Sequence, residues 1–466
     1  MNINLLHEKY NNKELTVYDH IEECFANIEK NQNNSFISLN KKEALDKAKK
    51  LDEKLAAGHK ASGLFGVGLA LKDNVLTKGL RTTGASKALD NYIPVYNASL
   101  VDKLEESDLI ILGKTNMDEL AMGGSSETSY YGHVKNPVAK GKIPGGSSSG
   151  SAAAVAGKEA LISIGTDTGG SCRNPANYCN IIGFAPSYGA ISRYGVISMS
   201  NSLDRVGIMA NKVEEVAELF KLIAGQDKHD YTSLNIDIRE KLEEVDLSKT
   251  KIAYVELKDD YKMDEDFKNH YLTAVAKLKE AGAIMEEVSL DYLEYINAVY
   301  TIIMSVEAAA NVARLDGIRY GESALSYEDT TDLYMKNRSE NFGEEVKRRI
   351  ALGSYFSAKD DDQKYYKQAM KMRNVLRRQM DKILADYDFV LSPTNTEKPH
   401  DLGAVNLDAN AAFDSGMFNV LTNLVNLPAI SMPVDEKEIG SVQFIGRRNK
   451  DQDLLDLAYT FERILG

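Results

Sequence analysis

The stretch that decides the fold runs from Pro144-Gly-Gly-Ser-Ser-Ser-Gly-Ser151 through Ala152-Ala-Ala-Val-Ala156 and Ala160-Leu-Ile-Ser-Ile164 to Gly165-Thr-Asp-Thr-Gly-Gly-Ser-Cys-Arg-Asn-Pro175. Two loops of small residues bracket a strong helix former and an apolar run that reads as a strand. Both loops therefore sit at element ends, where a rigid scaffold aims them, which a Gly/Ser linker does not do. They carry hydroxyls at Ser147, Ser148, Ser149, Ser151, Thr166, Thr168 and Ser171, and glycines that let backbone N–H groups approach a ligand. This is the composition of a nucleophile beside an oxyanion-binding backbone.

Three templates compete for the stretch. A phosphate-binding loop needs a lysine after its last glycine, and none follows Gly150. A nucleophile elbow needs Gly-x-Ser-x-Gly, which Gly146 to Gly150 satisfies with Ser148, and His229, His270 or His400 would then complete a triad. The preceding Val138-Ala-Lys-Gly-Lys-Ile143 is too short and polar to be the buried strand that an elbow projects from. The third template is a serine hydrolase whose base is a lysine. Phe65-Gly-Val-Gly-Leu-Ala-Leu-Lys72-Asp-Asn74 reads as an apolar strand with a lysine at its exit. Such a lysine accepts a proton only when neutral, so it has to be desolvated; moving its pKa from ~10.4 to ~7 corresponds to about 4–5 kcal/mol. The neighbouring Asp73 opposes this unless it points away.

Lys72, Ser147 and Ser171 stand 75 and 24 residues apart, in the contexts Leu71-Lys-Asp-Asn74, Gly145-Gly-Ser-Ser148 and Asp167-Thr-Gly-Gly-Ser171. With Gly113-Lys-Thr-Asn-Met-Asp-Glu119, Ser192-Arg-Tyr-Gly195, Ser202-Leu-Asp204, Asn311-Val-Ala-Arg-Leu-Asp-Gly317, Arg319-Tyr-Gly321 and Gln443-Phe-Ile-Gly446, this ordered pattern resembles the amidase signature family from about residue 60 to 460. The resemblance implies a mixed central sheet covered by helices on both faces. It also implies Ser171 as nucleophile, Ser147 as proton relay after a cis peptide bond, Lys72 as base, and an oxyanion hole from the backbone N–H groups of Thr168, Gly169, Gly170 and Ser171. On this reading replacement of Ser148 is tolerated and replacement of Ser171 is not.

Within the family, Thr115 to Glu119, Ala313 to Gly321 and Arg348-Arg-Ile-Ala-Leu-Gly-Ser-Tyr355 are most similar to the branch that releases ammonia from glutamine for tRNA-dependent amidotransferases. That likeness implies a partner subunit that binds the tRNA and uses ATP, a small third subunit, and no cofactor in this chain. Arg349 resembles the arginine that holds the glutamine α-carboxylate, by planar bidentate pairing. The acidic residue that receives the α-amino group is replaced by Gly416, with Asp414 two residues away as the candidate substitute. Ser149 stands where the family has glycine. Asp167 and Arg173 read as a supporting ion pair and Cys172 as a small apolar residue. A stand-alone amidase acting on another small amide, and an inactive scaffold subunit, are the rival readings.

The composition agrees with a large α/β enzyme. A chain of 466 residues, 43% hydrophobic, buries a sizeable core. Its 56 basic and 69 acidic residues leave a net charge of −13, which repels a phosphate backbone, so little direct nucleic-acid binding is expected. Cys24, Cys172 and Cys179 form neither a disulfide framework nor a metal-ligand spacing, which fits a reducing cytoplasm. No apolar run approaches the ~18 residues of a membrane span. Residues 1–57 read as a helical arm, with residues 58–466 as the main domain and a helical region at 291–385. Between them strands and helices alternate, including Lys212 to Ala224 as an amphipathic helix stopped by Gly225 and a strand–helix–strand unit over 251–290.

Overall fold

The strand reading of Phe65 to Lys72 and its neighbours is realised in one mixed sheet. The computed structural model describes residues 1–258, 261–358, 363–404 and 415–465. Asp414 lies outside the described residues. Eleven strands are present among them: β1 Phe36–Leu39, β2 Gly68–Lys72, β3 Ile110–Thr115, β4 Ile162–Asp167, β5 Ile182–Ala185, β6 Arg205–Ala210, β7 Lys251–Val255, β8 Ile284–Val288, β9 Phe389–Pro393, β10 Ala429–Pro433 and β11 Ser441–Ile445. Their order is β1-β3-β2-β4-β6-β5-β10-β11-β9-β7-β8. The strands β3, β2 and β4 run parallel, as do β9, β7 and β8, and the other pairs are antiparallel. Every residue of β2, β3 and β4 is buried, which is why these segments read as apolar runs rather than as alternating strands.

Helices cover both faces. Along β9, Phe389 and Leu391 join one apolar cluster and Val390 the other, the period of two that puts successive side chains on opposite faces. The first cluster is capped by α7 Val213–Ile223, α8 Glu265–Glu280 and the C-terminal helix Asp451–Leu465. The second is capped by α9 Ile296–Val312, α12 Lys364–Asp386 and α13 Met417–Leu424; α10 Thr330–Asn341 and α11 Glu344–Phe356 complete the helical region. None of the helices among the described residues is long and apolar enough to cross a membrane.

The first 57 residues differ from the helical arm expected of them. They hold α1 Ile3–Asn11, α2 Val17–Asn31 and α3 Lys41–Ala56, the first two capped by the Asn2 and Thr16 side chains. Between α2 and α3, however, the chain forms β1, the edge strand antiparallel to β3. Ile21, Phe25 and Leu51 share one cluster with Leu69 and Leu112, so the segment is part of the sheet and of its core. Four residues are too few for a period-two pattern to show, and it is pairing with β3 that makes the strand.

The expected helix from Ala152 begins earlier, as α5 Ser149–Ala156, and the strand from Ala160 ends later, at Asp167, because antiparallel pairing with β6 extends to the Asp167–Arg205 register. The start of α5 is pressed against the edge segment: the Gly150 N–H donates to the Asn116 carbonyl at 2.9 Å. A Cβ at Gly150 would stand 2.3 Å from the Ser35 carbonyl oxygen and 2.5 Å from that of Asn116. Gly150→Ala is therefore expected to destabilise the fold by at least about 1–3 kcal/mol, the usual effect of overpacking against backbone that cannot move. Thermal unfolding checks this, and an alanine variant as stable as the wild type would contradict the close approach.

A candidate active site at the strand ends

Parallel pairing aligns Leu71 of β2 with Ile164 of β4, so Lys72 emerges beside Thr166 at the carboxyl ends of the strands, where open α/β sheets place their ligands. The Lys72 ammonium nitrogen is fully enclosed, 2.8 Å from Ser147 Oγ, 2.8 Å from Ser148 Oγ and 2.9 Å from Thr166 Oγ1. Burial pushes its pKa down to about 8, against the pull of the acidic groups around it, Asp118, Asp167 and Asp204 among them. Asp73 does not oppose this. Its Oδ2 accepts from the Thr83 N–H at 2.8 Å and the Thr83 hydroxyl at 2.5 Å.

The loop before α5 brings the serines to this nitrogen. The Gly146–Ser147 peptide bond is cis. The Ser148 N–H donates to the Ser171 carbonyl at 3.1 Å, which locks the loop carrying Ser147 onto the one carrying Ser171. Ser147 and Ser148 are wholly buried, whereas Ser171 keeps 8% of its surface open. That difference weighs against the elbow alternative. The Ser148 hydroxyl faces inward, fully buried, and donates to the Thr166 carbonyl at 3.1 Å. Among the described residues no histidine touches Lys72, Ser147 or Ser171: His229 stacks on Tyr194, and His270 and His400 lie 3.6 Å from Glu438 and Glu397.

Asp167 shapes the turn that follows β4. Its carboxylate accepts from the N–H groups of Gly170 and Cys172, each at 3.0 Å, from Arg173 Nη2 at 2.8 Å and Nε at 3.1 Å, and from Asn423 Nδ2 at 2.9 Å. Burial alone would raise this carboxyl, but the Arg173 charge and hydrogen bonds hold it well below the usual carboxylate range. Arg173 in turn reaches Thr422 Oγ1 at 2.6 Å, Gln443 Oε1 at 2.9 Å and Asn423 Oδ1 at 2.6 Å. Cys172 beside it is enclosed, and burial pushes its thiol up to about 12.

The turn corrects one expected oxyanion donor. The Gly170 N–H is committed to Asp167, while those of Thr168, Gly169 and Ser171 have no acceptor among the described residues. Gly170 is needed for another reason, since its φ of +108° lies in the left-handed region. The Thr168 hydroxyl donates to Asp204 Oδ1 at 2.7 Å, which anchors the other side of the turn.

Arg349 is 1% exposed on α11, its Nε paired with Glu345 Oε1 at 2.6 Å and its Nη1 facing the sulfurs of Met199 and Met304 at 3.7 and 3.0 Å. It hydrogen-bonds Tyr300 of α9, whose hydroxyl burial pushes up to about 12. The Tyr300 ring lies against the turn that follows β4, for a Cβ at Gly169 would stand 2.7 Å from its oxygen. Arg349 thus connects to the turn through Tyr300. Gly416 caps α13 without a side chain to offer. Sequence reasoning missed Tyr300, Asn74, Asp204 and Asn423. Asn74 and Asp204 stood inside the motifs already quoted, whereas nothing local marks Tyr300 or Asn423. No three His, Cys, Asp or Glu side chains converge as a metal site among the described residues.

Fold and site together define an α/β protein whose strand ends hold a desolvated lysine among serines, of which Ser171 is the one that keeps some surface open. The amidase family profile matches residues 19–455, and the chain belongs to that family of enzymes. It is 40% identical over 473 residues to the A subunit of the glutamyl-tRNA(Gln) amidotransferase from Lachnoclostridium phytofermentans, covering 98% of this chain and 96% of that one. It is 39% identical over 468 residues to the protein of the same name from Fusobacterium nucleatum, covering 99% and 96%. Among solved structures it resembles the corresponding glutamyl-tRNA(Gln) amidotransferase polypeptide of Thermotoga maritima, with a TM-score of 0.76, 29% identity and coverage of 97% and 95%. It also resembles an amidase, with a TM-score of 0.83, 26% identity and full coverage of both chains.

Replacing Asp167 by asparagine leaves Arg173 buried without its counter-charge, and removing one partner of such a pair commonly destabilises by about 3–5 kcal/mol. Chemical denaturation of Asp167→Asn is expected to show a loss of that order. A loss under about 1 kcal/mol would mean that the other partners of Arg173 suffice.

Proposed function

We propose that this chain hydrolyses glutamine to ammonia as the amide-splitting subunit of a tRNA-dependent amidotransferase, converting Glu-tRNA(Gln) to Gln-tRNA(Gln) together with partner subunits. The observation that carries the chemistry is the enclosed Lys72 nitrogen 2.8 Å from Ser147 Oγ, with Ser171 as the accessible serine of the cluster. The near full-length relatives support the substrate.

In this reading Ser171 Oγ attacks the amide carbonyl while Ser147 takes its proton and passes its own to Lys72, which has to be neutral to receive it. The oxyanion is met by the N–H groups of Thr168, Gly169 and Ser171, with Gly170 shaping the turn rather than donating. The proton returns to the departing nitrogen, ammonia leaves, and water hydrolyses the acyl-Ser171. Arg349, oriented by Glu345, holds the α-carboxylate, and Asp414 meets the α-ammonium in place of the side chain missing at Gly416. ATP and tRNA are handled by a partner subunit, with a small third subunit, in a cytoplasmic heteromeric complex. Gly416 favours one second reading, a stand-alone amidase for a neutral amide, because a glycine cannot pair with an ammonium.

Glutamine hydrolysis by the chain with its partner subunits tests the proposal. Ser171→Ala is expected to abolish it and Lys72→Ala to lower it by about a thousandfold or more, whereas replacing any one of the seven histidines leaves it within a few-fold. Asp414→Asn is expected to weaken glutamine use by about thirtyfold or more, as removal of a charge-assisted contact does. A histidine variant as defective as Lys72→Ala would contradict the lysine mechanism. Rapid turnover of a neutral amide with no glutamine hydrolysis would establish the stand-alone amidase instead.

A further inference from the structure

Ser148 has no part in the proton path above, yet its hydroxyl approaches the base as closely as Ser147 does, both at 2.8 Å. A hydroxyl has one proton and two lone pairs. The Ser148 proton goes to the Thr166 carbonyl at 3.1 Å, and the Thr166 N–H points at Ser148 Oγ from 3.3 Å. The Cys172 sulfur lies farther off, at 3.7 Å; with its proton on the Thr166 carbonyl, Ser148 meets Lys72 as an acceptor. On a second side, Thr166 Oγ1 lies 2.9 Å from the same nitrogen and is fixed by a donation from Asn74 Nδ2 at 3.1 Å. Three hydroxyl oxygens within 2.9 Å thus surround a nitrogen that, when neutral, carries two N–H bonds and one lone pair, and the Thr166 carbonyl, already taken by Ser148, stands farther off at 3.5 Å.

We propose that Ser148 and Thr166 are positioning residues for the base: each takes one N–H of neutral Lys72, which turns the single lone pair onto the Ser147 hydroxyl. The inference rests on the reading of Lys72 as base and Ser147 as relay. Transfer breaks the Ser147 O–H bond and forms the third N–H bond on Lys72, while Ser147 takes up the proton of Ser171. The resulting ammonium donates to Ser147, Ser148 and Thr166 oxygens already in place, so the charge is met without movement. Deleting either flanking hydroxyl reverses the preference. The neutral amine then keeps two hydrogen bonds by donating to the remaining hydroxyl and to Ser147 Oγ, and its lone pair faces the vacated space.

The test is the pH dependence of kcat and KM, measured on the complex with an amide that the wild type hydrolyses. Contrary to the tolerance expected of Ser148 from the sequence, Ser148→Ala, like Thr166→Val, is expected to lower kcat by about ten- to a hundredfold with KM within about twofold, and Thr166→Ser to recover most of the loss. Both acceptors favour the ammonium over the amine, so removing one lowers the lysine pKa and moves the acid limb of the rate profile to lower pH. A merely structural defect would lower the plateau and leave the limb where it was. Values of kcat within about twofold of wild type, or a loss with an unmoved acid limb, would overturn the proposal. Should Ser148→Ala fail to fold, the near-isosteric Thr166→Val decides by the same criteria. Active Lys72→Ala or Ser147→Ala controls would instead refute the underlying base-and-relay reading, whereas inactive controls beside a normal Ser148→Ala would refute this inference alone.

Discussion

A single desolvated amine at the end of β2 constrains everything around it. A lysine in water is an ammonium and accepts nothing; the sheet encloses Lys72 completely and lowers its pKa to about 8, which is what the base role proposed for it requires. Enclosure requires that the surrounding oxygens satisfy the nitrogen in both charge states, and the hydroxyls of Ser147, Ser148 and Thr166 do so. It also requires that nearby carboxylates find other partners. Asp73 turns to Thr83, Asp204 accepts from Thr168 and Ser198, and Asp167 is neutralised by Arg173.

The Asp167–Arg173 pair extends that constraint across the molecule. Arg173 is the fully buried cation through which the turn bearing Ser171 contacts Thr422, Asn423 and Gln443, residues about 250 positions later in the chain. An uncompensated charge in a dry interior is costly, so the shape of the turn depends on these partners. The serine loop is held in a comparable way from the other end of the chain, through Ser35, Asn116 and Gly150. The first and last segments of the chain therefore both bear on the site, though neither supplies Lys72, Ser147 or Ser171.

What the sequence made legible follows the range of the forces involved. Local composition offered two hydroxyl-rich loops and a strand-end lysine without choosing among the serines; Lys72, Ser147 and Ser171 were singled out by the resemblance of the ordered motifs that hold them, and the α/β alternation followed from apolar runs of strand length. The strand β1 was not legible, because four residues between helices carry too little pattern and its existence depends on pairing with β3. The commitment of the Gly170 N–H to Asp167 was equally hidden, since it arises from how one turn folds back on a carboxylate three residues earlier. Ser148 illustrates the limit most sharply. The same serine-rich loop offered it as a nucleophile or a bystander, and only the structure shows its hydroxyl turned inward, 2.8 Å from the Lys72 nitrogen.

The central claim is that a neutral Lys72 activates Ser171, and the most direct measurement is the rate at which a sulfonyl fluoride labels the protein as a function of pH, with the modified residue identified by mass spectrometry. The base is lost as pH falls through its pKa, so labelling is expected at Ser171 with a rate that falls about tenfold per pH unit below a midpoint near 8, a dependence that Lys72→Met removes. Labelling at Ser148, or a rate at Ser171 that is flat from about pH 6 to 9, would contradict the account.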